Sequence, residues 1–280
     1  MRTVTELPDV SVVETGMIDL HCHILPGIDD GAPDLAVALA MARCAVADGI
    51  TVTACTPHIY PGLYENSRDG ILAAIASFQA VLKQEGINLE LVVGADTHLA
   101  PDLVESLRNL RVPTLNNSRY LLLEPPHHTA PPRFEDSVFQ LMTSGIVPVI
   151  THPERLSWIE GNYPAFARLV RAGAWMQVTS GSLTGRFGRR PKYWAERMLD
   201  EGLVHILATD AHHIDRRPPL LAEGRDAAAS RVGEIEAWHL VRTRTRGILD
   251  NIAPDHLPQL PERPADPKPP LWRRLLGNNV

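Results

Sequence analysis

Residues 145–155 read GIVPVITHPER, and three physical signals follow one another in that order. Gly145 supplies a residue that can turn left-handed and end a helix. VPVI (147–150) is short, mostly β-branched and apolar throughout, the pattern of a strand covered on both faces. THPER then sets a histidine, a glutamate and an arginine at the strand's exit. The same order recurs along the chain. Gly49, Gly86, Gly173 and Gly202 precede the apolar runs TVTAC (51–55), LELVV (89–93), WMQV (175–178) and VHILA (204–208). MIDL (17–20) and YLLL (120–123) complete a set of seven runs. Amphipathic stretches at 34–47, 67–84, 101–110, 134–143, 163–171 and 191–201 lie between them, with Asp34 and Ser67 as start signals. This strand–helix–glycine rhythm predicts parallel βα units, and seven of them favour a barrel over an open sheet.

The totals agree with one large α/β unit. The 280 residues are 44% hydrophobic and 21% charged, enough apolar surface for a core of that size. A formal net charge of −6 gives no basic footprint, so neither nucleic acid nor an anionic membrane surface is an expected partner. No apolar stretch approaches the ~20 residues of a membrane span, and the first residues lack a secretory pattern. Cys22, Cys44 and Cys55 fit no zinc-knuckle spacing and argue against a disulfide framework, so a cytoplasmic protein is expected. Residues 1–16 read as an N-terminal extension. From residue 252 the chain turns proline-rich (APDHLPQLPERPADPKPP, 253–270), and the tail 252–280 is expected to be extended or disordered.

The strand exits carry the chemistry. His21, His23, Asp29 and Asp30 follow the first run, His58 the second, and Asp96 and His98 the third. Glu124 follows the fourth, His152, Glu154 and Arg155 the fifth, and Asp210, His212 and His213 the last. Only the run at 175–178 ends without a candidate, in TSGS. Parallel barrels point all these ends to one face. Histidines and carboxylates gathered there describe a cluster of two or three metals with mixed nitrogen and oxygen ligands, suited to Mn, Fe or Zn. A single histidine such as His58 or His205 is weak evidence alone; the co-location carries the argument. His98, His127, His128, His213, His239 and His256 receive no role.

In this order, DLHCH (19–23), TPH (56–58), THPER (151–155) and TDAH (209–212) resemble the polymerase-and-histidinol-phosphatase (PHP) superfamily. HILPGIDDG (23–31), PTLNNSRYLLLE (113–124), THPER and TDAHHIDRRPP (209–219) look closely like its bacterial manganese-dependent protein tyrosine phosphatases of capsule and exopolysaccharide operons. The likeness covers Met17 to Asn251, and so implies a phosphatase domain over 17–251. It implies a distorted seven-stranded (β/α) barrel with two or three divalent ions, manganese foremost, with Fe, Zn or Co as other occupants. The implied ligands are His21, His23, Asp30, His58, Asp96, Glu124, His152, Asp210 and His212. Arg155 and Arg217 match the phosphate-contacting arginines, and Arg217 is chosen over its neighbour Arg216 on resemblance alone. The implied partner is a phosphotyrosine protein, specifically a bacterial tyrosine kinase, and a homo-oligomer is left open. One departure stands out: the family usually has glutamate where this chain has Asp96, one methylene shorter.

Thiol-based tyrosine phosphatases need an arginine six positions after a cysteine. Ile28, Ile50 and Pro61 occupy those positions here, so water activated by metal is the expected nucleophile. Arg155 and Arg217 would meet the developing charge, with His58 or His212 as proton donor to the leaving oxygen. Two rivals have other expectations. Another PHP phosphoesterase would prefer histidinol phosphate or a similar small monoester. A regulatory binding module would keep the barrel without turnover, and the shorter Asp96 is the feature that favours it.

Overall fold

Proline and glycine divide two of the expected strands. The computed structural model describes residues 16–261. All seven apolar runs form strands: β1 (Met17–Cys22), β2 (Ile50–Cys55), β4 (Glu90–Val93), β6 (Tyr120–Glu124), β7 (Val147–Thr151), β8 (Trp175–Thr179) and β9 (Ile206–Ala208). Two short strands, β3 (His58–Ile59) and β5 (Asp96–His98), resume the course of β2 and β4 after a break. Pro57 has no N–H to give the ladder at the first break. At the second, Gly94 runs so close to its neighbours that an added Cβ would lie 2.9 Å from Thr56 Cγ2.

Every strand pairing is parallel. The order is β1-β2-β4 in one sheet and β3-β5-β6-β7-β8-β9 in the other. The pairing therefore records two sheets rather than the single closed ladder that the motifs implied, because the breaks at 56–57 and 94–95 interrupt it. The two sheets still meet at the end of β1, where Cys22 forms an isolated parallel bridge with Ala211. Alternation along the strands sorts side chains between two apolar layers. Tyr120 and Leu122 join Ile18, Leu20, Val149, Trp175 and Ile206 in one, while Leu121 and Leu123 face the helices in the other.

Helices Leu35–Ala47 and Arg68–Gln84 start where the sequence indicates, with Asp34 and Ser67 accepting from Val37 N and Gly70 N. The C-terminal helices, Ala222–Val232, Glu234–Trp238 and Arg244–Leu249, have no side-chain cap and were not marked by any start signal. The tail from residue 252 was expected to be extended or disordered; residues 252–261 pack against the fold. Leu257 is buried, and a Cβ at Gly247 would lie 2.2 Å from its Cδ2. The fully buried Arg244 donates to the carbonyls of Pro258 and Gln259 at 2.8 and 2.9 Å. The expected N-terminal extension falls almost wholly, and the rest of the tail wholly, outside the described residues.

His205 gives the fold a pH dependence. Its Nδ1 accepts from Met176 N at 3.1 Å, and its ring stacks on Trp175 at 4.7 Å. Burial and the nearby Arg244 cation hold its pKa well below the usual imidazole value. Below about pH 6.5 the unfolded chain then binds the proton that the folded chain refuses. The stability that neutral His205 contributes is complete above that pH and is lost as pH falls towards the folded value. The advantage of wild type over His205→Phe should narrow by about 1 kcal/mol between about pH 7.5 and about pH 5.5 in denaturant titrations. A pH-independent difference would contradict this.

Candidate functional site

The exit of β1 sets the first wall. His21, on the strand, and His23, one residue past its end, are two apart and face the same way. The Nε2 of His21 lies 3.4 Å from Asp96 Oδ2 and 3.4 Å from Asp210 Oδ1, and that of His23 lies 3.5 Å from Asp210 Oδ1. Each ring is anchored through its other nitrogen: His21 Nδ1 to Gln177 Oε1 at 3.0 Å, His23 Nδ1 to Asp29 Oδ2 at 2.7 Å. With Nδ1 donating to these acceptors, Nε2 is the nitrogen turned to the cluster, the usual orientation of a metal-binding histidine.

The loop IDDG can serve two histidines because its glycine lies against β1. A Cβ at Gly31 would be 2.1 Å from His23 O, and the next residue, Ala32, donates its N–H to that carbonyl. Asp29 is thereby turned to His23, and Asp30 lies 3.4 Å from His58 Nε2 and 3.5 Å from His212 Nε2. The two neighbouring aspartates thus divide the tasks of orienting and facing the cluster.

The other strand ends converge on the same space. Asp96 Oδ2 lies 3.6 Å from His58 Nδ1 and 3.9 Å from His152 Nε2, and Glu124 Oε2 lies 3.4 Å from His58 Nδ1. Among the described residues, five sets of donor atoms lie, within each set, no more than 4.8 Å apart: His23–Asp30–His58–His212, His21–His23–Asp96, His21–His152–Asp210, His58–Asp96–Glu124 and Glu124–His127–His152. All nine expected ligands belong to at least one set. His152 and Asp210 adopt left-handed backbone (φ 35° and 50°), a strained choice for a side chain that must be aimed.

The donor set fits divalent cations. Asp96 is fully buried, yet neither of its carboxylate oxygens accepts a hydrogen bond among the described residues. Burial opposes ionisation of Asp29, Asp30, Asp96, Glu124 and Asp210, but the surrounding histidines, and the arginines at Asp210, hold all five below their usual range. Burial likewise opposes charge on His21, which Asp96 and Asp210 nonetheless raise to about 9. Five ionised carboxylates among neutralisable imidazoles form a concentrated negative site with the nitrogen and oxygen ligands of a first-row metal.

Asp210 is shared between two kinds of partner. Its Oδ1 faces His21, His23 and His212, whereas its Oδ2 accepts from both Arg155 and Arg217. Arg216, left undecided by the residue pattern, is exposed and takes no part in this pairing. Glu154 points away, accepting from Thr179 N and Ser182 Oγ at 3.0 and 2.7 Å.

Sequence reasoning passed over several contributors. His127, given no role, lies 3.8 Å from Glu124 Oε1 with its ring 4.9 Å from that of His152. It joins Glu124 and His152 in one donor set; only its place directly after PP at a strand exit marked it. His98, also given no role, stacks on Tyr60 at 3.8 Å and lies 3.9 Å from Glu124 Oε2. Gln177 comes from the strand that ends without a candidate. Asp19, a carboxylate inside an apolar run, is fully buried and accepts from Thr209 N and Oγ1, holding the residue before Asp210. Cys22 and Cys55 are buried, and burial raises both thiols far above their usual pKa, which leaves them unreactive.

Comparison with known proteins sharpens these observations. A family model described as capsular polysaccharide synthesis, CpsB/CapC, matches residues 17–250. The tyrosine-protein phosphatase YwqE of Bacillus subtilis is 38% identical over 201 residues, 72% of this chain and 79% of that protein. The tyrosine-protein phosphatase CpsB of Streptococcus pneumoniae is 29% identical over 238 residues, 83% of this chain and 98% of that protein. A crystal structure from work on YwqE and CpsB, described as unique metal-dependent tyrosine phosphatases, superposes with a TM-score of 0.83 at 33% identity. It covers 90% of this chain and 100% of the other.

Proposed function

The chain belongs to the capsular polysaccharide synthesis family CpsB/CapC, and on that premise we propose that it hydrolyses phosphotyrosine in proteins. Divalent ions would be held by His21, His23, Asp30, His58, Asp96, Glu124, His152, Asp210 and His212. The observation that carries this reading is Asp96, a fully buried carboxylate with no hydrogen-bond donor, facing His21, His58 and His152. Such ions, when bound, supply Lewis acidity to a phosphoryl oxygen and acidify water to a pKa of about 7.

The chain's own residues do the rest. Gln177 and Asp29 hold the rings of His21 and His23 in register. Arg155 and Arg217, gathered at Asp210 Oδ2, present fixed donors to phosphoryl oxygens as charge develops. The tyrosine oxygen, with a pKa of about 10, makes only a modest demand on a proton donor, and His58, partly open to solvent, would meet it through a ring nitrogen not taken by an ion. A cleft of about 320 Å³ walled by Tyr60, His98, Pro125, Pro126 and His127 opens on Glu124, and its ring-lined sides suit a phenyl group.

Finer points follow from the same premise. We read the strands as seven staves of a distorted barrel, with β2–β3 and β4–β5 each one stave and the Cys22–Ala211 bridge at the seam. The single apolar layer shared by β1, β2, β4 and β6–β9 supports this reading. The family domain spans 17–251 with residues 252–261 packed onto it, manganese is the resident ion in two or three copies, and the substrate is a bacterial tyrosine kinase in the cytoplasm. Purified, manganese-loaded protein should turn over a phosphotyrosine peptide far faster than histidinol phosphate, lose activity on chelation and regain it with Mn²⁺. Preference for histidinol phosphate by orders of magnitude would assign it to the small-monoester branch. Turnover of neither, with ions bound, would leave a binding module.

A further inference from the structure

The exit of β8 supplies no metal ligand, yet it leads into TSGSLTGRFG (179–188), a segment built to deliver one ring. We propose that Phe187 is a positioning residue that holds Arg155 and Arg217 in place to receive the phosphoryl group. The guanidinium carbons of Arg155 and Arg217 lie 4.5 and 5.8 Å from the centroid of its ring. These arginines arrive from two different strand exits, after β7 and after β9, and, among the described residues, converge on Asp210 Oδ2 and Phe187.

Three glycines shape the approach. A Cβ at Gly181 would lie 3.0 Å from Phe187 Cε2 and 3.2 Å from Arg186 Nε. Gly185 and Gly188 take φ of 87° and 90°, which side chains rarely adopt. Glu154 ties the start of the segment, through Thr179 N and Ser182 Oγ, to the turn that carries Arg155. The physical need is plain. Two guanidiniums on one carboxylate oxygen repel each other, and that oxygen constrains only their tips. An aromatic face attracts both cations and holds the guanidinium groups through cation–π contact, which an aliphatic side chain of similar size cannot do.

The kinetic part of this inference rests on the phosphatase reading, whereas the anion-binding part does not. The test compares Phe187→Ala, Phe187→Leu and Phe187→Trp in the full-length, manganese-loaded protein. Inorganic phosphate binding is followed by calorimetry and phosphotyrosine-peptide hydrolysis by kcat and KM. The leucine and alanine variants should bind phosphate about tenfold more weakly and lose about tenfold or more in kcat/KM, while tryptophan stays near wild type. Metal content and melting temperature should match wild type in the leucine variant. A leucine variant equal to wild type in phosphate affinity would overturn the proposal, as would a loss of bound metal in parallel with phosphate affinity. If wild type hydrolyses no phosphotyrosine, the function proposed above fails, and the phosphate arm still decides the role of Phe187.

Discussion

Asp96→Ala is expected to lower phosphotyrosine hydrolysis by about a thousandfold or more, roughly 4 kcal/mol of lost transition-state stabilisation. It should also cost the protein at least one bound ion. Asp96 enters two of the five donor sets, one with His21 and His23 and the other with His58 and Glu124. It also lies 3.9 Å from His152. Its removal takes one carboxylate from both sets at once and leaves their histidines without that shared counter-charge, with Asp30 alone still joining His23 to His58 among these sets. Asp96→Glu is the informative companion. It installs the residue that the family resemblance implies, at the expense of one extra methylene in a packed site, about 1–3 kcal/mol of strain. Ion binding should therefore survive in Asp96→Glu and be lost in Asp96→Ala, by mass spectrometry of the purified proteins. An alanine variant with a full complement of ions and near-wild-type turnover would remove Asp96 from the centre of the site.

The second large effect lies at the far end of the strands and concerns stability alone. Arg244→Ala should destabilise the fold by about 3–5 kcal/mol, lowering the melting temperature by roughly 10 °C. Arg244 is fully buried and bidentate to Glu236, at 2.6 and 3.1 Å, with its remaining donors on Pro258 O, Gln259 O and His205 O. Truncation leaves a largely buried carboxylate unpaired and frees the 258–259 segment that seals the inner apolar layer through Leu257. Double replacement of Arg244 and Glu236 by methionine should recover much of the loss, because no uncompensated charge then remains. Ion content should be unchanged in both. A melting temperature within about 2 °C of wild type for Arg244→Ala would show that the pair is dispensable.

The strands were legible because their signals are local. Apolar runs such as VPVI and YLLL need no knowledge of distant residues, and both lie where they were placed. Glycines and the caps Asp34 and Ser67 also act within a few residues of themselves. The C-terminal helices were not legible. AEGRDAAASRV has alanine in place of a strong apolar stripe, so its helicity is decided by packing, as at Gly224, where a Cβ would meet Ser180 Cα at 2.8 Å. The proline-rich stretch misled for a related reason. Pro258 lacks an N–H but keeps its carbonyl, and a buried arginine elsewhere in the chain makes use of it.

The residue types at the strand exits were therefore determined by the sequence alone: histidines and carboxylates after the strands, arginine in HPER, and no usable thiol. Tertiary structure decided their division of labour. It turned Asp29 to orient a histidine and Asp30 to face the cluster, set Arg217 rather than Arg216 beside Asp210, and brought His127 and Gln177 to the site. It also set Asp210 with one oxygen towards the histidines and the other towards the arginines, above a ring from the strand exit that supplies no ligand. Periodicity and turn chemistry are properties of a few consecutive residues. Which atom meets which across separate strand exits depends on loop closure and on approaches such as that of Gly31 to His23, which only the folded chain defines.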